Sequence, residues 1–341
     1  MKNRINYIIL ASIALFSACS TDLEVIGDYK ETMVVYGLLD QSQTKQYIKV
    51  NKAFLGEGGA FGYAQVKDSV QFSNSLNVVL KRLKTGAELN LTADNTIPKV
   101  PGVFYAPDQQ NAIYSISTPA GFLTTDSDYQ LIVKSNETGT TVSAQTSLLT
   151  DAVFTTPSPG SPFFGFILSS NASYQFPIRW TSGKNARLYQ LIVRFNYIDS
   201  TSGGNITQRL DWVFPEQKTQ KLSGGEQMKG DFQGQAFLKF VGNQLSDYSG
   251  LYARRALNAE LILVAGGDDL NTFIEVNKPS TTIVQEKPEF TNITNGLGVF
   301  SSRYSKAPFS KPLAAITWDS LACGQYTADL RFLDHFGLAC P

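Results

Sequence analysis

The sequence predicts a mainly β protein built as two successive β-rich parts. Three observations carry that prediction. From Met33 onward, short apolar or alternating runs are broken by turn residues, the pattern of strands in sandwich folds. After the N-terminal leader, no uncharged run approaches the ~20 apolar residues that a membrane-spanning helix needs. One Pro-rich stretch, 153–164, separates two strand-rich regions and reads as an extended, semi-rigid spacer.

Taken in order, residues 1–18 read as an export signal. Lys2 and Arg4 precede an apolar run from Tyr7 to Phe16 that is too short to span a bilayer. Removing this segment takes away two of the 29 basic side chains and leaves the body slightly acidic against 29 acidic ones. Residues 19–30 then form a tether ahead of the first strand.

The first β-rich part is expected over 31–152. Its strands are Met33 to Leu39, Tyr47 to Phe54, Leu76 to Leu83, Ala87 to Thr92, Ala112 to Ser117, Asp128 to Lys134 and Val142 to Leu148. Lys84-Thr85-Gly86 and Asn136-Glu137-Thr138-Gly139 supply tight turns. Tyr129 opens its strand after polar residues, as in the tyrosine corner of immunoglobulin-like sandwiches, or is a tyrosine half-buried on a strand. The expected fold is therefore an N-terminal immunoglobulin-like β-sandwich, without the usual cysteine pair.

The connection Leu55 to Ser75 exceeds the usual loop length. Its Phe61, Tyr63 and Phe72 could stack on a sugar, fill a partner's pocket, or fold back as a cap.

Residues 165–341 form the second β-rich domain, with strands at Tyr174 to Trp180, Leu188 to Tyr197 and Asn205 to Phe214. Short helices are expected at Gly234 to Leu245, from Asp268 or Asp269 onward, and at Trp318 to Cys323, with Gly324 as a stop. Asp268-Asp269 reads as a helix cap, since adjacent residues there do not face each other across a substrate. Asn295-Gly296-Leu297-Gly298 reads as a turn entering a strand.

Composition excludes several function classes. Lys+Arg 29 against Asp+Glu 29 leaves no basic stripe for nucleic acid. The single histidine, His335, argues against histidine-based triads and multi-histidine metal sites. No phosphate loop, dinucleotide fingerprint, serine elbow or zinc spacing is present. A non-enzymatic protein without cofactor or metal is expected.

Phe16-Ser17-Ala18-Cys19 resembles the bacterial lipoprotein box, which implies acylation at Cys19 and attachment to a membrane. Asp22 and Glu24 are similar to signals that send Bacteroidota lipoproteins to the outer leaflet. An oxidising envelope would permit a disulfide between Cys323 and Cys340; two unpaired small residues are the alternative. Asp68-Ser69-Val70, Asp199-Ser200-Thr201 and Asp319-Ser320-Leu321 are similar to a short O-glycosylation sequence of the same phylum, with Ser69 and Ser200 in expected loops.

Val34-Val35-Tyr36-Gly37-Leu38-Leu39, the 289–300 segment and the 318–332 segment together resemble a family of Bacteroidota outer-membrane lipoproteins known as a domain of unknown function. The resemblance implies a site at the periplasmic face or cell surface beside a TonB-dependent receptor, and carries over no catalytic residue. Three functions are consistent with this: a receptor accessory or ligand-presenting lipoprotein, a fimbrial or surface-assembly subunit, and a carbohydrate-binding or carbohydrate-acting lipoprotein taking a glycan or small ligand.

Overall fold

The computed structural model describes residues 32–53, 60–72, 76–98, 112–168, 174–279 and 289–340. Strands hold 48% and helices 15% of the described residues, so the protein is mainly β with a few short helices. The N-terminal part contains β1 (Thr32–Asp40), β2 (Lys45–Ala53), α1 (Ala60–Ala64), α2 (Lys67–Val70), β3 (Leu76–Arg82), β4 (Glu88–Ala93), β5 (Ile113–Ser117), β6 (Asp128–Ser135) and β7 (Thr141–Ser147). There follow β8 (Val153–Thr156), β9 (Gln175–Phe176), β10 (Arg179–Thr181), β11 (Ala186–Thr201), β12 (Gly204–Val213), β13 (Gln217–Lys218), β14 (Gln227–Lys229) and β15 (Phe232–Gln233). The chain ends with α3 (Gly234–Gln244), β16 (Leu251–Gly267), α4 (Asp268–Asn277), β17 (Leu297–Ser305), β18 (Phe309–Pro312) and α5 (Ala315–Cys323).

Alternation explains the strands. In β6, Tyr129, Leu131 and Val133 are buried while Asp128 and Lys134 face water. In β11, Leu191, Val193, Phe195 and Tyr197 point inward at the same two-residue period. Gly86 and Gly139 both adopt positive φ, which closes the β3–β4 and β6–β7 hairpins without a Cβ penalty.

One 13-stranded sheet runs through both parts, with β12-β11-β16-β17-β1-β2-β5-β4-β3-β6-β7 as its main path. Its N-terminal stretch curls around a single core. Met33, Val35, Ile48, Val78, Leu131 and Val133 meet there, and β7 reaches back to bridge Ser143 to Thr294, just ahead of β17. In an immunoglobulin-like sandwich, pairings β1-β2-β5-β4 and β3-β6-β7 would lie in separate sheets; here β4 pairs with both β3 and β5 and joins them. The second core is strongly aromatic. Phe166 packs edge-on against Phe176, Phe232 and Phe237 at centroid distances of 4.8, 5.0 and 4.9 Å.

Two expectations about domain division are corrected. Segment 153–164 is no spacer: it contributes β8 to a three-stranded sheet with β10 and β14, and buries Phe154 and Phe164 in the second core. Its prolines stiffen the chain, while its phenylalanines hold it against the protein. Nor is 165–341 a self-contained unit. β17 runs parallel to β1 from Val34↔Leu297 to Asp40↔Arg303, and Ile293 and Phe300 belong to the N-terminal core. A smaller correction concerns Tyr174 to Trp180, which divides into β9 and β10 around Pro177, a residue that cannot donate to a ladder.

Candidate functional site

The residues expected to carry function are dispersed. Cys19 lies outside the described residues. Phe61 falls in α1, but its side chain lies outside them as well. Tyr63 is half-buried in the same helix. Phe72 is 8% exposed and packs into the N-terminal core, with Lys52 Nζ 5.1 Å from its ring centroid. For Phe72 that burial decides between the two alternatives in favour of the cap, because an apolar ring gains more from the adjacent core than from water.

Ser69 sits in α2 and Ser200 in β11, so neither is in the loop expected for it. Ser200 Oγ donates to Asn205 Oδ1 at 2.9 Å. The neighbouring Asp199, one element of the sugar-acceptor triplet, is 3% exposed and committed elsewhere. Arg254 Nε donates to Asp199 Oδ1 at 2.9 Å, and Tyr248 Oη donates to Oδ2 at 3.0 Å. The Arg254 guanidinium also donates to the carbonyls of Leu330 and Ser246, so this buried ion pair is hydrogen-bonded on both sides. Sequence reading misses it because 55 residues separate the partners.

Cys323 and Cys340 form a disulfide with Cα atoms 5.3 Å apart. It ties the last turn of α5 to a compact C-terminal loop. Leu333 bridges Ala339, and Asp334 Oδ1 accepts from the backbone N–H groups of Phe336 and Leu338 at 2.9 and 2.8 Å. Gly337 takes positive φ at the tip.

The loop thus holds two apolar side chains outward, Phe336 at 75% and Leu338 at 62% exposure. His335 Nδ1 lies 2.6 Å from Asp319 Oδ1 on α5, and the His335 N–H donates to the same oxygen at 3.2 Å. Burial pushes the Asp319 carboxyl up, but the bonds from His335 outweigh it and hold it below the usual range. Beside the loop is an open groove of about 610 Å³, lined by Leu238, Ile316, Asp319, Gln325 and Tyr326 among others. Rigid apolar tips next to a groove suit contact with another protein.

A second, smaller cleft of about 250 Å³ lies where the two parts meet, lined by Asp128, Ser147, Asn185, Asp268, Asp269, Ser301 and Ser302 among others. Its carboxylates have partners within the chain. Ser147 Oγ donates to Asp128 Oδ1 at 2.6 Å, Arg187 Nε to Asp268 Oδ1 at 2.7 Å, and Asn292 Nδ2 to Asp269 Oδ2 at 2.9 Å. Burial raises the Asp269 carboxyl above the ordinary value, Asn292 opposes this, and Asp268 adds to it. Asp268 and Asp269 lie in the first turn of α4, where they favour the helix dipole; Gly267 is the N-cap, and neither aspartate makes a side-chain cap bond. Each of these three bonds stays within one part; the cleft is crossed instead by Ser302 Oγ, which donates to the Ser147 carbonyl at 2.6 Å. Among the described residues, no group of three or more His, Cys, Asp or Glu is arranged to hold a metal.

The chain matches no protein-family model and no curated protein.

Proposed function

We propose that the protein is a non-enzymatic lipoprotein of the outer membrane that engages a partner protein, a TonB-dependent receptor, through its C-terminal apolar loop. The observation carrying this reading is the stapled 334–338 loop. Phe336 is the most exposed large apolar side chain among the described residues, and the disulfide and the Asp334 hydrogen bonds fix its position before binding. Pre-ordering of this kind lowers the entropy cost of association. The lipoprotein box at Cys19 would supply the anchor, with each buried methylene of its acyl chains contributing ~0.8 kcal/mol. In the N-terminal part, Tyr129 Oη donates to the Phe122 carbonyl at 2.7 Å and accepts from the Thr124 N–H at 2.7 Å, which supports an immunoglobulin-like reading of that half.

The alternative sugar-binding reading is weakened by the burial of Phe72, because a stacking platform must be open. The test is affinity recovery from solubilised outer membranes of the native host. The wild-type chain should bring down a receptor in near-equal amount, and Phe336→Asp with Leu338→Asp should lose it while keeping the wild-type melting curve. Recovery of the lipoprotein alone in repeated trials would sink the proposal.

A further inference from the structure

Among the described residues, the main sheet has one long margin that no other strand covers. β12 ends the main path of strand pairing, and its register with β11 runs unbroken from Ile192↔Val213 to Thr201↔Gly204, without a bulge. Phe214 N–H donates to the Leu191 carbonyl, which fixes the phase of the ladder. Even-numbered residues of β12 therefore turn their backbone groups toward β11, and Thr207, Arg209, Asp211 and Val213 turn theirs outward. Proteins ordinarily blunt such a margin with a bulge, a proline or a row of lysines. β12 has none of these along its length, and Pro215, which has no N–H to offer, lies just beyond its end.

The charges on this margin are self-complementary. Arg209 and Asp211 are the only charged residues of β12, two positions apart and of opposite sign. In an antiparallel pairing of two copies about an axis at Leu210, Arg209 lies opposite Asp211 of the second copy and Asp211 opposite its Arg209. Shifting the axis by one residue sets Arg209 against Arg209, or Asp211 against Asp211, and like charges directly opposite are unfavourable. All three registers join outward-facing residues only, so the backbone bonds permit each of them and the charges select the one centred on Leu210. Asp211 already receives Arg194 at 2.7 and 2.9 Å, and each carboxylate oxygen retains a further acceptor site. Ile206 and Val213, 47% and 50% exposed, gain Phe214 and Thr207 of the second copy as neighbours.

We infer that β12 is a strand-pairing interface for a second copy of this chain, antiparallel and centred on Leu210. Full-length protein in its native membrane carries the test as a Leu210→Cys variant, since this position meets itself across the axis in a non-hydrogen-bonded pair. Mild oxidation should give a dimer band on non-reducing gels that is strong for Leu210→Cys and at least fivefold weaker for Ile206→Cys, which does not meet itself. Adding Arg209→Asp should remove the band, as should adding Asp211→Arg, while co-expression of those two double variants should restore it, because each then supplies the opposite charge. Equal bands for the two cysteine variants would overturn the inference. So would cross-linking of the Leu210→Cys variant to a different protein without self-linkage, or no dimer in detergent-solubilised wild type at tens of micromolar by sedimentation.

Discussion

At the scale of single residues, charges taken out of water make the sharpest predictions. Arg254 and Asp199 have side chains 2% and 5% exposed, and each satisfies the other. Removing the arginine as Arg254→Met strands a buried carboxylate, and a loss of about 3–5 kcal/mol is expected in denaturant unfolding. The double change Arg254→Met with Asp199→Leu should recover part of it, since no charge is left unpaired while the Leu330 carbonyl and Tyr248 Oη still lose their partners.

A second residue, Asp94, accepts from Lys45 Nζ at 2.7 Å, from Thr96 Oγ1 and N–H, and from Ser115 Oγ. The Lys45 bond first, then those from Thr96 and Ser115, hold its carboxyl well below the usual 3.8. A carboxyl lowered by folding contributes stability above its unfolded pKa, and that contribution fades as pH drops through the folded value. Stability should therefore fall with acid below about pH 4, and Asp94→Asn should flatten that acid limb in melts collected from about pH 2 to 7. An unchanged limb would remove Asp94 from the cause.

At the scale of elements, legibility depends on whether the local pattern and the tertiary demand agree. β1 to β7 are readable because each is a short apolar or alternating run of five to nine residues, and the β3–β4 and β6–β7 hairpins carry turn glycines. The helices α3, α4 and α5 are readable for a similar reason, with apolar spacing or an end signal at each. β16 escapes a local reading, although at 17 residues it is the longest strand. Its alanines at 253, 256, 259 and 265 and its Arg254-Arg255 pair carry little strand preference, and bulges shift its register against β11 near Asn196 and Ser200. What makes it a strand is pairing with β11, β17 and β18, which no local window contains.

β17 shows the converse. The Asn295-Gly296-Leu297-Gly298 turn is legible, and its physical need is plain: Gly298 has φ +108°, and a Cβ there would lie 2.0 Å from the Val35 carbonyl oxygen. The parallel partner that imposes this closeness lies more than 250 residues earlier. The candidate contact surface is legible only in part. The cysteines and His335 can be seen, but the outward set of Phe336 and Leu338 depends on the cap from Asp334 and the staple to α5.

At the scale of the whole molecule, the division at the prolines and the continuity of the sheet make opposite predictions about folding. Two autonomous domains joined by a spacer would each survive alone. The structure instead gives the N-terminal core two of its members from the far end of the chain, Ile293 and Phe300, with β1 paired along its length to β17. Gly37 in β1 is the counterpart of Phe300: a Cβ at Gly37 would meet Ile48 Cδ1 at 2.5 Å and Phe300 Cδ2 at 3.0 Å, so the ring packs where the side chain is missing. Further fastenings cross the same seam. Ser302 Oγ donates to the Ser147 carbonyl at 2.6 Å, and Arg303 Nε donates to Asp40 Oδ2 at 3.2 Å.

Deleting a large buried apolar side chain costs about 2–5 kcal/mol, and two such losses approach the roughly 5–15 kcal/mol that holds a typical domain together. A chain ending at Asp151 should therefore lack a cooperative melt and bind a hydrophobic dye, while residues 19–341 unfold with the tyrosine and tryptophan signals moving together. Phe300→Ala in the full chain should lower the melting temperature of the N-terminal half, reported by hydrogen exchange at Leu131 and Val133, ahead of the aromatic core around Phe166. A stable, sharply melting fragment ending at Asp151 would instead mean that β17 decorates a core already complete without it.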